Sequence, residues 1–197
     1  MSRARALLIA ALVLAAGIVA ARFAAPLIAP QPPLPVLDAL GGEFSLPSTL
    51  GRETALAEFR GRLVLLNFGF ASCPDVCPTV LSRMREALRG LGKDADAVQP
   101  LFVTIDPERD TLEKLKPYVE FFHPAFVAMS GTSEATRAVA GLFKVYYERE
   151  DNPQLGYGFA HSDQIYLLDR QGRVRGTFAN TATTSEMVAT MRRLLAE

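Results

Sequence analysis

Apolar and polar residues along this chain repeat on two periods, and the switches between them set out strand, helix, strand. Residues 63–70 are apolar apart from Asn67, too continuous for a strand with one wet face, which predicts a central strand buried on both sides. After a cysteine-bearing stretch, Val80, Leu81, Met84, Leu88 and Leu91 recur at helical spacing until Gly90-Leu91-Gly92. Residues 101–105 and 125–129 read as two further strands. Between them Asp110 and Glu113 fit a capping box that opens a helix through Phe122. Residues 133–146 carry Ala135, Val139, Leu142 and Phe143 at helical spacing. Residues 148–160 are polar and contain glycine and proline, which predicts a mobile excursion. Residues 164–168 and 174–178 then form a hairpin across Asp169-Arg170-Gln171-Gly172, and residues 186–195 a terminal helix. Upstream, alternating Phe44 and Leu46 with Gly51 near a turn predict a short strand or hairpin within residues 41–59.

The N-terminus has another character. Arg3 and Arg5 precede an uninterrupted apolar run over residues 6–21, which Arg22 breaks and residues 23–29 resume. Residues 1–25 are therefore a membrane anchor or a signal segment, with the anchor preferred because Arg22 can reach the interface and lengthen the span. Arginines before the span keep the N-terminus in the cytoplasm. The soluble part is then expected on the periplasmic side of the inner membrane, tethered by a single pass. Five prolines within residues 26–35 predict a stiff linker, assigned to residues 26–40, ahead of a domain at 41–197.

Length and charge narrow the class. The 197 residues suit one domain plus an extension, and 49% apolar content supports a packed core. Equal numbers of basic and acidic residues leave a formal charge of zero, without the electrostatic footprint of a nucleic-acid partner. Strand–helix–strand units, then a hairpin and a helix, predict a three-layer α/β domain with a central mixed sheet. A cysteine loop between its first long strand and the following helix is the thioredoxin-like arrangement.

Both cysteines lie in Cys73-Pro74-Asp75-Val76-Cys77-Pro78. Pro78 suits the first helical position and should keep Cys77 extended, so the two sulfurs are expected in a loop that ends on a helix N-terminus. Unpaired N–H groups there favour a thiolate, which is a nucleophile and a soft-metal ligand. A structural disulfide is the plainer reading, but so short a loop makes a weak entropic staple. One of the two histidines, His161, stands just before a strand. Two thiolates and an imidazole would suit copper(I), or copper(II) with a further ligand. His123 reads as a cation at a helix C-terminus, and Met84, Met187 and Met191 as core. Asp75 reads as a turn residue or as a modulator of the cysteines.

Phe68-Gly69-Phe70, the cysteine segment, Asp106-Pro107-Glu108-Arg109-Asp110-Thr111 and His161-Ser162 together resemble the Sco/SenC family of copper-handling, thioredoxin-like proteins over about residues 41–195. The resemblance implies that Cys73, Cys77 and His161 bind one copper ion. It also implies a membrane-anchored protein that serves the dinuclear copper (CuA) site of cytochrome c oxidase, with oxidase subunit II or another cuproprotein as partner and a copper donor upstream. The service would be copper delivery or reduction of the partner's cysteines. Where the family usually has an aspartate before the histidine, this chain has Ala160. Asp163 is the nearest candidate to take over that role.

Overall fold

The computed structural model describes residues 3–28, 32–153 and 156–197, in two compact units, Met1–Pro33 and Leu34–Glu197. The first is a helix, α1 (Arg3–Ile28). Its stretch Arg3–Ala20 has a mean hydropathy of 2.0, so by length and composition it can cross a membrane. Pro26, assigned above to the linker, lies within this helix. Residues 29–31, also assigned to it, fall outside the described residues.

The second unit is three-layered. Its sheet has the order β5-β4-β3-β8-β9, with β3 (Leu63–Gly69) at the centre. β4 (Val98–Thr104) runs parallel to β3, and β5 (Val127–Met129) parallel to β4. β8 (Ile165–Leu168) and β9 (Val174–Phe178) add antiparallel strands on the other side, so the sheet is mixed. Side chains of β3 alternate between two cores. Leu63 and Leu65 face α2 (Val76–Leu91), α3 (Leu112–Phe122) and α5 (Thr184–Leu195), while Val64, Leu66 and Phe68 face α4 (Ser133–Leu142) and the small hairpin of β1 (Ser45–Pro47) and β2 (Glu53–Ala55). This double burial is why β3 reads as continuously apolar. Met84, Met187 and Met191 are fully buried in the helical core.

Four local expectations are corrected. Cys77 is helical, because α2 begins at Val76 and Pro78 is its third residue rather than its first. A proline there still removes only an N–H that has no partner inside the helix. α3 starts after Thr111, whose side chain accepts no capping bond, and the Asp110 carboxylate is buried elsewhere. α4 stops at Leu142, where Lys144 turns left-handed with φ 53°. Lys144 N–H then bonds the Gly141 carbonyl and Val145 N–H the Ala140 carbonyl, a helix-ending motif that keeps Phe143 and Val145 buried and so preserved an apparent helical pattern. The polar excursion is itself a hairpin, β6 (Tyr147–Asn152) against β7 (Gly156–His161), with His161 opposite Tyr147.

The chain end of this unit is held by a buried arginine. Arg175, 6% exposed, donates to the carbonyls of Leu34 (2.5 Å) and Pro35 (3.2 Å) and pairs with Asp169 (3.1 Å) and Glu197 (2.5 Å). Leu34 and Pro35, read above as linker, are thus fixed to the domain. Replacing Arg175 leaves Asp169 buried beside fewer partners, so Arg175→Met should lower the unfolding free energy by about 3 kcal/mol in urea denaturation. A loss within ~0.5 kcal/mol would show that the buried pair is dispensable.

Candidate metal centre

β3 delivers the cysteine loop. Its last residue, Gly69, leaves the space that a sulfur fills: a Cβ there would lie 2.9 Å from Cys77 Sγ and 3.0 Å from the Phe102 ring. The chain then turns, with Cys73 N–H bonding the Phe70 carbonyl (3.2 Å), and α2 starts. Cys77 sits in the first helical turn and points its N–H at Cys73 Sγ (3.4 Å). Asp75, the residue before α2, makes no side-chain cap; its carbonyl takes the first helical N–H, from Thr79 (3.3 Å), and the Thr79 hydroxyl (2.9 Å). It is therefore a turn residue whose backbone also supports Cys73.

The two sulfurs are electrostatically unequal. Cys73 is half-buried, and its thiol is held down to about 3. The main cause is hydrogen bonding from Cys77, helped by His161 and by the N–H groups of Cys77 and Asp75, against a contrary effect of burial. Cys77 is 1% exposed, and its thiol is pushed strongly upward, first by its hydrogen bond to Cys73 and then by burial. In the metal-free pair, Cys73 is the thiolate and Cys77 carries the proton.

β7 supplies the imidazole. His161 Nε2 lies 3.6 Å from Cys77 Sγ, and its ring meets Phe70 edge to face at 5.8 Å. Nδ1 is 2.7 Å from the Ser162 carbonyl, which can only accept, so Nδ1 carries a hydrogen and Nε2 is the nitrogen that faces the sulfurs. Burial works against the imidazolium, yet the Cys73 sulfur and the Ser162 carbonyl outweigh it and raise the His161 pKa. The ligand atoms of Cys73, Cys77 and His161 all lie within 4.8 Å of one another, the one such group of metal-capable side chains among the described residues. Two sulfurs and a nitrogen in one half-buried pocket are a donor set for a soft ion.

Asp163 does not orient the imidazole. Its carboxylate accepts from the Asn180 amide, and the role falls to the Ser162 backbone. His123 is corrected as well: its Nδ1 accepts the Ala125 N–H (3.2 Å), while burial and Arg89 push its pKa down, so it is a neutral ring ending α3.

Asp110, a helix cap by its spacing from Glu113, braces the site instead. Its carboxylate accepts from Ala71 N–H (2.8 Å) in the cysteine loop and from the Thr104 hydroxyl (2.6 Å) at the end of β4. Next to it, Arg109 lies 3.7 Å from the centroid of the Tyr157 ring on β7. Spacing from Asp106 to Thr111 gives no sign of the contacts with Ala71 and Tyr157, which come from distant segments.

Known proteins share this fold. The family described as SCO1/SenC matches residues 35–196. A SCO2-like protein of Rickettsia conorii is 38% identical over 157 residues, which is 78% of this chain and 76% of the relative. Among solved structures, copper-bound ScoI of Bradyrhizobium japonicum is 36% identical with a TM-score of 0.73, covering 79% of this chain and 99% of that one. Copper-bound yeast Sco1 is 30% identical with a TM-score of 0.73, covering 81% and 90%. With a family match across nearly the whole thioredoxin-like unit, this chain belongs to the SCO1/SenC family.

Proposed function

We propose that this protein is a membrane-tethered copper metallochaperone that carries one copper ion on Cys73, Cys77 and His161 for assembly of the CuA centre of cytochrome c oxidase. The observation that carries this reading is the convergence of two sulfurs and one imidazole nitrogen, from opposite ends of the domain sequence, within 4.8 Å. Three soft or intermediate donors suit copper(I), and the partly open side at Cys73 leaves room for a fourth ligand to hold copper(II) or for an incoming partner ligand. Copper is cargo here, and ligand exchange would pass it to oxidase subunit II or another cuproprotein. The two copper-bound relatives support the choice of metal. α1 would anchor the chain in the inner membrane with the domain in the periplasm, the side set by Arg3 and Arg5.

A second activity has its own observation, the split between an accessible Cys73 thiolate and a buried, protonated Cys77. Cys73 would attack a disulfide in the partner, forming a mixed disulfide and releasing one partner thiolate. Cys77, losing its proton, would then displace the second, leaving the partner's dithiol reduced and Cys73–Cys77 oxidised. The same cysteines serve both acts, and His161 separates them.

Copper(I) titration of the reduced full-length protein in detergent, against a competing chelator, should give one ion per chain. His161→Ala should weaken binding by more than the about 10–100-fold that follows loss of a ligand's hydrogen-bond partner, while disulfide exchange persists. Equal affinity in the variant and the parent would exclude the three-ligand site. For the thiols, iodoacetamide should label Cys73 and spare Cys77 in the metal-free reduced protein. A thiol lowered to about 3 is already thiolate at every higher pH, so the labelling rate should be nearly flat between about pH 5 and pH 8. An ordinary thiol would instead quicken about tenfold per pH unit in that range, and such a rise at Cys73 would contradict the assignment.

A further inference from the structure

β6 and β7 pair only with each other, and among the described residues no strand ladder joins them to the central sheet. Side chains and the hairpin's base must hold them in place. At the base, Ser162 N–H bonds the Tyr146 carbonyl (2.9 Å), and Phe159 packs on Phe70 with ring centroids 5.4 Å apart. The far end is gripped differently. The Tyr157 ring has the guanidinium carbon of Arg109 3.7 Å from its centroid and that of Arg149 at 3.5 Å. Two cations so close to one ring must take opposite faces. Arg149 belongs to β6, so the stack clamps a hairpin tyrosine between a hairpin arginine and Arg109 of the domain body.

Further contacts tie the same corner. Arg109 Nη1 donates to the Tyr157 carbonyl (3.0 Å), and the Tyr157 hydroxyl donates to Asp106 (2.8 Å), which also pairs with Arg109. Arg149 reaches Glu108 at 3.4 Å. The Arg109 turn is itself rigidly placed, since Arg109 and Asp110 N–H groups bond the Asp106 carbonyl and Asp110 holds the cysteine loop through Ala71. Tyr157, Phe159 and His161 alternate along β7, so they share one face of the strand. The clamped face is the one that presents the imidazole.

Resting on the copper reading above, we propose that the Arg109–Tyr157–Arg149 stack is a latch that holds the β6–β7 hairpin shut over the dithiol loop, making Tyr157 and Arg109 positioning residues for His161. Closure of the latch keeps Nε2 against the sulfurs, and its opening withdraws the imidazole first and leaves the ion on two sulfurs, ready for a partner's ligand. Both arginines are matched by carboxylates, Asp106 and Glu108, so the stack does not leave two bare cations in repulsion.

The test compares the full-length protein in detergent with Tyr157→Ala and Tyr157→Phe. In the copper-free reduced state, Tyr157→Ala should raise amide exchange at residues 157–161 about tenfold and leave β3 and α2 unchanged. Transfer of copper(I) from the variant to a chelator should also quicken about tenfold. That factor corresponds to about 1.4 kcal/mol, within the range of a stacked guanidinium on an aromatic ring. Tyr157→Phe keeps the stack, loses the hydrogen bond to Asp106, and should stay close to the parent in both measurements. Unchanged exchange at β7 in Tyr157→Ala overturns the latch. So does an equal loss of protection in β3, which marks general destabilisation, and so does faster exchange without faster copper release. Wild-type copper affinity in His161→Ala would overturn the copper reading separately, because the exchange measurement in metal-free protein reports on the hairpin alone.

Discussion

A carboxylate held away from water, that of Asp110, connects the parts that must meet at this centre. Burial raises its pKa, and hydrogen bonds from Thr104 and Ala71 pull the other way, so its place in the fold depends on keeping both donors. Those donors belong to the end of β4 and to the loop after β3. Two parallel strands are thereby tied together at their C-terminal edge, where α/β sheets gather their sites. The same turn projects Arg109 outward to the hairpin that carries His161. One short segment between β4 and α3 thus braces the sulfurs on one side and the imidazole on the other.

The inequality of the sulfurs follows from helix geometry and crowding together. Cys73 lies just outside α2, where the first N–H groups have no partner inside the helix and turn toward its sulfur. Cys77, a helical residue, is driven into the gap that Gly69 leaves and loses contact with solvent. A half-buried anion beside a fully buried neutral thiol results, without any nearby lysine or arginine being needed to make it. Either chemistry assigned to the pair draws on that asymmetry.

What could be read from the sequence was what depends on local periodicity. The apolar run of β3 and the helical stripe of α2 are buried as their patterns require, and Cys73, Cys77 and His161 were singled out because few residue types can do their chemistry. Errors came where distant segments overrode local preference. Asp110 looks like a helix cap until Ala71, far away in sequence, claims its carboxylate. Residues 148–160 look like a polar loop because both faces of a two-stranded hairpin can stay partly wet, and β7 is placed by Tyr157 and Phe159 meeting Arg109 and Phe70. Leu34 and Pro35 look like linker because the arginine that binds their carbonyls is encoded much later in the chain.

Ala160 offers the neighbouring His161 no carboxylate, and the ring is oriented by the oxygen of the Ser162 peptide group. That group belongs to the polymer backbone and not to any side chain. Substituting the amino acid at position 162 leaves the carbonyl in place, and the N–H on the other side of the residue is pinned to Tyr146. The tautomer of the imidazole is therefore insulated from point mutation in a way that an aspartate partner is not. Drift at neighbouring positions can proceed without scrambling which nitrogen faces the sulfurs.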